Sequence, residues 1–257
     1  MQISGSSAVV VGGTGGMGEA TVRRLHAAGA RVVVADVNDE KGKALADELG
    51  IRYVHTDAGS EDDVTAAFAE AAALAPVRVS VDVHGGPAAG GRLLNKAGEP
   101  HQLADFRLTL ESYLISVFNV TRLAAAAINQ TEPVDEEGTR GVIIQTASIA
   151  GFEGQVGQMA YGAAKGGIIA MTLIAARDLS PAGIRVVTIA PGTINTPAYG
   201  AAVDKLEAYY GPQVPHPKRM GVPDEYARLA VAVAVAENDY LNGEVIRLDG
   251  GFRFPPK

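Results

Sequence analysis

Short runs of β-branched and other apolar residues recur along the chain: AVVVGG at 8–13, RVVVAD at 31–36, RYVHTD at 52–57, VRVSVDVHGG at 77–86, GVIIQTAS at 141–148, IRVVTIAPG at 184–192 and GEVIRLDGG at 243–251. Most are continuous rather than alternating, as in strands whose two faces are both covered by helices. The stretches between them are alanine-rich, with apolar residues at helical spacing. They predict helices over 17–28, 39–49, 60–75, 102–129, 158–179, parts of 203–211 and 224–236. Seven strands interleaved with helices imply a doubly wound (Rossmann) α/β fold, a seven-stranded parallel sheet flanked by helices.

No linker interrupts this pattern, so residues 1–257 read as a single domain. Three stretches are irregular: 85–101, the acidic NQTEPVDEEGTR at 129–140, and a segment near 193–220. The last follows a strand whose carboxyl end meets the ligand crevice of such folds, which makes it a candidate substrate loop.

Composition narrows the function by exclusion. Apolar residues make up 47% of the chain and charged residues 20%, enough apolar surface for a substantial core. The absence of cysteine excludes disulfides, thiolate metal sites and cysteine nucleophiles, suits a reducing compartment, and no metal site is assigned. A net charge of −7 without a Lys/Arg block argues against nucleic-acid binding. The first residues, MQISGSSAVVVGG, carry no basic stretch before their short apolar run, and no segment is expected to span a bilayer. A cytoplasmic protein acting on a small molecule is the expectation.

The stretch VVVGGTGGMGEAT places Gly12, Gly13, Gly15, Gly16 and Gly18 between a strand and a helix. A backbone without side chains can approach a pyrophosphate closely, and the helix N-terminus beyond it presents free amides. Asp36 closes the next strand, where a carboxylate can accept from an adenosine ribose and repel a 2′-phosphate, favouring NAD over NADP. Each feature has a plainer explanation, a tight turn for the glycines and a helix cap for Asp36. Together they point to a dinucleotide. Asp57 ends the third strand at the same edge, as an adenine contact or a helix cap.

The stretch QMAYGAAKGG sets Tyr161 four residues ahead of Lys165, on one face of a helix, among glycines and alanines. A nearby ammonium stabilises a phenolate, so the pair is expected to bring the tyrosine toward the range useful for proton transfer. Ser148 ends the strand before it and can hold a reacting oxygen. The alternative is an ordinary amphipathic pair on a solvated face and a serine that caps the next turn.

With these motifs in view, the chain resembles the short-chain dehydrogenase/reductase family along essentially its whole length, through GGTGGMG, Ser148 and Tyr161 with Lys165. GFEGQVGQMAYGAAKGGIIAMTLIAARDLSPAGIRVVTIAPGTINTP, QVPHPKRMGVPDEYARLA and LNGEVIRLDGG are similar to the type 2 3-hydroxyacyl-CoA dehydrogenase branch of that family. The resemblance implies hydride transfer between NAD and a secondary alcohol or ketone, a 3-hydroxyacyl-CoA or a similar hydroxy compound, including a hydroxysteroid. Tyr161 would be the general base or acid, Ser148 would bind the oxygen, and Lys165 would also hold the nicotinamide ribose. It further implies Gly15 and Met17 at the pyrophosphate, Asp57 and Ala58 at the adenine, Val83 and Gly85 on the cofactor side, Pro191, Ile194 and Thr196 near the nicotinamide, and a homotetramer.

Four positions depart from the family pattern. Val11 stands where the family keeps a threonine, Asp82 and His84 alter an Asn-Asn-Ala-Gly element, and Tyr113 replaces a helix asparagine of a proton relay. The plainest reading makes His84 a solvated loop residue, with crowding of the adenosine side as the alternative. Tyr113 reads as a core aromatic, a substitute relay donor or a plug, the first being the simplest. These departures motivate a rival: a family member that keeps the fold but turns over little and serves as a binding or assembly subunit.

Overall fold

A computed structural model describes residues 2–235 and 239–253. All seven predicted strands form: β1 (Ser7–Val11), β2 (Arg31–Asp36), β3 (Arg52–His55), β4 (Val77–Asp82), β5 (Gly141–Thr146), β6 (Ile184–Pro191) and β7 (Val245–Leu248). They pair in parallel in the order β3-β2-β1-β4-β5-β6-β7. The chain winds outward from β1 to β3, then returns past β1 to continue from β4, so the direction of winding reverses between β1 and β4. A crevice opens at such a reversal, at the carboxyl ends of the strands.

Strand residues alternate between the two faces, as the pleat requires. Val10, Val34, Val81, Ile144 and Ile189 pack with Val22, Leu25 and Tyr226 on one side. Val9, Val11, Val33, Ile143 and Val186 pack with Val64, Phe68, Val120 and Ile128 on the other. Helices α1 (Gly16–Ala27), α2 (Asp39–Leu49) and α8 (Pro223–Val235) supply the first layer, and α3 (Glu61–Leu74), α5 (Ser116–Asn129) and α6 (Met159–Leu179) the second. Residue 236, the last of the predicted α8, lies outside the described residues. Burial on both faces accounts for the continuous apolar runs in β1, β4, β5 and β6.

Three expectations change. The single helix predicted over 102–129 is α4 (Leu103–Leu110), a π-helical turn at Glu111–Ile115, then α5. In the segment near 193–220 the helix expected within 203–211 forms as α7 (Val203–Tyr210), and the change is that 3₁₀ turns at Pro197–Ala202 and Gly211–Gln213 flank it. The 24-residue helical stretch Met159–Ala182, with mean hydropathy 1.4, is long and apolar enough to cross a membrane by length and composition, contrary to expectation. Here its inner face packs on β6 and α4, the demand that makes a core helix apolar.

Candidate active site

A cleft of about 940 Å³ runs along the carboxyl ends of the strands. Every residue assigned from sequence lines it: Gly12, Gly15, Gly16, Met17, Gly18, Asp36, Asp57, Ala58, Val83, Gly85, Ser148, Tyr161, Lys165, Pro191, Ile194 and Thr196. The topology explains this convergence, since each ends a strand, follows one, or lies in the first two turns of the helix after it.

At one end, the glycine-rich turn is built by backbone packing. Gly12 has φ of +80°, and a Cβ on it would strike the backbone of His84; a Cβ on Gly18 would strike the Gly12 carbonyl. Gly15 caps α1 with no side-chain hydrogen bond, and the first amides of a helix have no partner within it. Bare backbone and amides of this kind fit a diphosphate. Asp36 accepts from Thr14 N at 2.9 Å and Asn38 N at 3.0 Å, which leaves lone pairs for ribose hydroxyls. The cap of α2 is Asn38 instead, accepting from Lys41 N at 3.1 Å. Asp57 likewise caps no helix: its Oδ1 accepts from Gly59 N at 2.8 Å, while Ser60 caps α3. Asn119, from α5, pins the adenine-side segment by donating to Ala58 O at 2.9 Å.

At the other end, Ser148 caps the turn after β5, accepting from Ala150 N at 3.2 Å, and its hydroxyl is near enough to the Tyr161 phenol to lower that group's pKa. Lys165 is buried rather than solvated, and its Nζ donates to Thr146 O at 2.8 Å. Tyr161 and Lys165 do share a face: Nζ lies 5.8 Å from the Tyr161 ring centroid. The expected direction of the phenol's shift is overturned. Burial, and after it the neighbouring Tyr113, push Tyr161 up to about 12, with Ser148 pulling the other way. Burial also takes Lys165 down to about 8, against the pull of Asp82. Desolvation is the largest influence on both groups, and it disfavours the charged form of each.

The altered positions form the rear wall. His84 is not a solvated loop residue: its side chain is 10% exposed and its Nδ1 bonds Asp82 Oδ1. Its Nε2 reaches Ser112 O at 3.1 Å and Ser116 Oγ at 2.7 Å, away from the adenosine side. Tyr113 is not a core residue either. It lines the cleft, edge-on to Tyr161 with ring centroids 5.2 Å apart, and donates to Gly86 O at 2.8 Å. Val11 is buried in the apolar cluster that includes Ala58. Ser112, Ser116 and Tyr199, which also line the cleft, carried no sequence signal, because helical or loop serines and tyrosines are common.

A family model described as enoyl-(acyl carrier protein) reductase matches residues 12–253. The crystal structure of 3-hydroxyacyl-CoA dehydrogenase type-2 from Mycobacterium avium superposes with a TM-score of 0.94 at 52% identity, covering 100% of this chain and 99% of that one. The chain belongs to the short-chain dehydrogenase/reductase family. Within it, 3-hydroxyacyl-CoA dehydrogenase type-2 from Homo sapiens is 48% identical and that from Bos taurus 46%, each over 99% of this chain and 97% of the relative. This family member is therefore an oxidoreductase with a nicotinamide cofactor. The rival reading as a subunit without turnover finds no support, since the serine, tyrosine and lysine are intact and assembled.

Proposed function

We propose that this protein is an NAD-dependent dehydrogenase of 3-hydroxyacyl thioesters that works as a homotetramer. The observation that carries the reading is the meeting of Ser148, Tyr161 and Lys165 in one cleft with the bare glycine turn and Asp36. The thioester is supported by the names of the similar proteins, which are 3-hydroxyacyl-CoA dehydrogenases.

The nicotinamide, when bound, supplies the hydride exchange; the chain's residues handle the oxygen and the proton. Ser148 Oγ holds the substrate oxygen by a hydrogen bond, and Tyr161 Oη exchanges the proton with it. Lys165, charged up to about pH 8, stabilises the phenolate formed when the alcohol is regenerated and offers further N–H donors to a ribose. Asp36 can only accept hydrogen bonds, which suits ribose hydroxyls and opposes a 2′-phosphate. Exposed Ile115 and Phe118 on the π-turn and α5, with Leu173 and Ile174 on α6, are apolar surface that self-association would cover.

The test is oxidation of short and medium 3-hydroxyacyl-CoA thioesters with NAD and with NADP. NAD is expected to be preferred by at least about tenfold, and Tyr161→Phe to reduce turnover by about two to four orders of magnitude with little change in NADH affinity. Equal rates for wild type and variant would refute the mechanism. No activity on any thioester, with activity on another secondary alcohol, would refute the substrate. Lys41 lines the Asp36 end of the cleft and is the cation available to a 2′-phosphate, so Asp36→Ser should narrow the preference. Light scattering of the eluting protein decides the tetramer.

A further inference from the structure

Two buried ionisable groups behind the cleft are not used by the reaction. Asp82 ends β4 with its side chain 1% exposed, and its Oδ2 has no partner among the described residues. His84 follows two residues later, its Nδ1 on Asp82 Oδ1. Its Nε2 faces Ser112 O, which can only accept, and Ser116 Oγ. Ser116 Oγ also lies 2.9 Å from Ser112 O, a carbonyl that can take its one proton and leave the hydroxyl oxygen to accept from Nε2. Both ring nitrogens thus face acceptors, whereas a neutral imidazole has one N–H. An imidazolium with Asp82 as its counter-ion satisfies all of these contacts at once, including the Ser112 carbonyl, to which a bare Nε2 could not donate.

The pair sits where two functional segments meet. The backbone of His84 lies against Gly12, and Val83 N donates to Val11 O at 2.9 Å, so the turn after β4 seats the glycine-rich turn. The imidazole reaches across to Ser112 in the π-turn and to Ser116, which begins α5. Tyr113, between them, makes the second tie across the same gap through its bond to Gly86 O. Its ring thereby stands 5.0 Å from Lys165 Nζ and edge-on to Tyr161. π-turns inside helices concentrate at functional sites.

We propose that Asp82, His84 and Ser116 form a proton-dependent clasp, closed while His84 carries both ring protons, that positions Tyr113 against Tyr161 and Lys165 and seats the glycine-rich turn. These three are positioning residues, since none reaches the reacting atoms. The titratable groups around the pair are Tyr113 from the π-turn, Lys165 and Tyr161 from α6, and Tyr226 from α8; Gly12 and its neighbours present backbone only. Burial and the Lys165 charge oppose the imidazolium, but the Asp82 carboxylate and the Ser112 carbonyl outweigh them, and the His84 pKa is raised. The sign follows: the clasp's stabilisation is complete below the ordinary imidazole value and is lost as pH rises through the raised one. Above it, the Nε2 lone pair meets the Ser112 carbonyl, and the tie to the π-turn opens.

The experiment follows the His84 ring by ¹³C NMR in the full-length protein without cofactor, assigned by difference from His84→Gln. The midpoint is expected above about 6.5, the value of a free imidazole, and below the wild-type midpoint in Asp82→Asn. A wild-type midpoint at or below that of a free imidazole overturns the proposal. In a second arm, NADH affinity is measured across the same pH range in wild type and His84→Gln. Wild type should weaken at least about threefold more than the variant across the NMR midpoint; identical slopes overturn the link to the cleft. If His84→Gln fails to fold by circular dichroism, Ser116→Ala takes its place in both arms. It should lower the midpoint by removing one acceptor, and an unchanged midpoint refutes that hydroxyl's part. The NADH arm rests on the proposed cofactor and the NMR arm does not, so a raised midpoint without NADH binding at any pH refutes the cofactor and spares the buried charge.

Discussion

The two ends of the cleft are built from different materials. The diphosphate end is made of backbone: glycines 12, 15, 16 and 18, a helix N-terminus, and one carboxylate held by amides. The catalytic end and its rear wall are made of side chains, the buried Lys165 and Asp82 and the half-buried Tyr161, Tyr113 and His84, which shift or orient one another. Backbone recognition tolerates no added atoms and does not itself titrate, so pH reaches this end only through the side chains that seat the turn. Side-chain chemistry is tuned by desolvation and is pH-sensitive throughout.

The largest effect expected from this contrast is at the catalytic end. Lys165→Met should lower turnover by at least about a hundredfold while making the protein more stable. The folded ammonium titrates near 8 and the unfolded one at its ordinary 10.5, so unfolding takes up a proton between these values and stability climbs with pH across that window. Removing the buried cation should therefore stabilise the protein near neutral pH by on the order of 1–3 kcal/mol, read from chemical denaturation. A variant both inactive and less stable would mean that the bond to Thr146 O dominates.

Next comes the backbone end. Gly18→Ala should cost about 1–3 kcal/mol of stability, because its methyl meets the Gly12 carbonyl, and should weaken NADH binding at every pH alike. Unchanged stability would mean that the turn yields to the added methyl. A smaller, graded effect is the pH profile. With the phenol at about 12, alcohol oxidation should climb by up to about tenfold per pH unit and flatten near 8, where Lys165 releases its proton. The reverse reduction, which uses the protonated phenol, should lack the climb. A flat oxidation profile between about pH 6 and 8 would place the working phenol lower and restore the role first expected of the ammonium. The smallest effect is Tyr113→Phe, which removes the bond to Gly86 O and should cost about 1 kcal/mol, seen as a few degrees in melting temperature.

The strands, most helix limits and the glycine-turn, Asp36, Ser148 and Tyr161–Lys165 positions of the cleft were legible because each depends on local pattern: continuous apolar runs, helical spacing, a glycine turn after a strand. The π-turn was not, since ESYLI has the same helical spacing as its surroundings. Within 193–220 the helix at 203–210 was legible, but the 3₁₀ turns on either side of it were hidden by their glycines and prolines. His84 was misread for a different reason. Its partners Ser112 and Ser116 lie 28 and 32 residues away, and D-x-H at a strand end looks like solvated polar residues until something covers it.

From sequence alone came the parallel sheet, the dinucleotide turn and the pairing of Tyr161 with Lys165, because period, glycine content and an i, i+4 spacing are set by covalent order. Only the tertiary structure decided which charges are buried, and with that the direction of the Tyr161 and Lys165 shifts and the ionised state of His84. Desolvation depends on what packs from distant parts of the chain, and no local pattern carries that information.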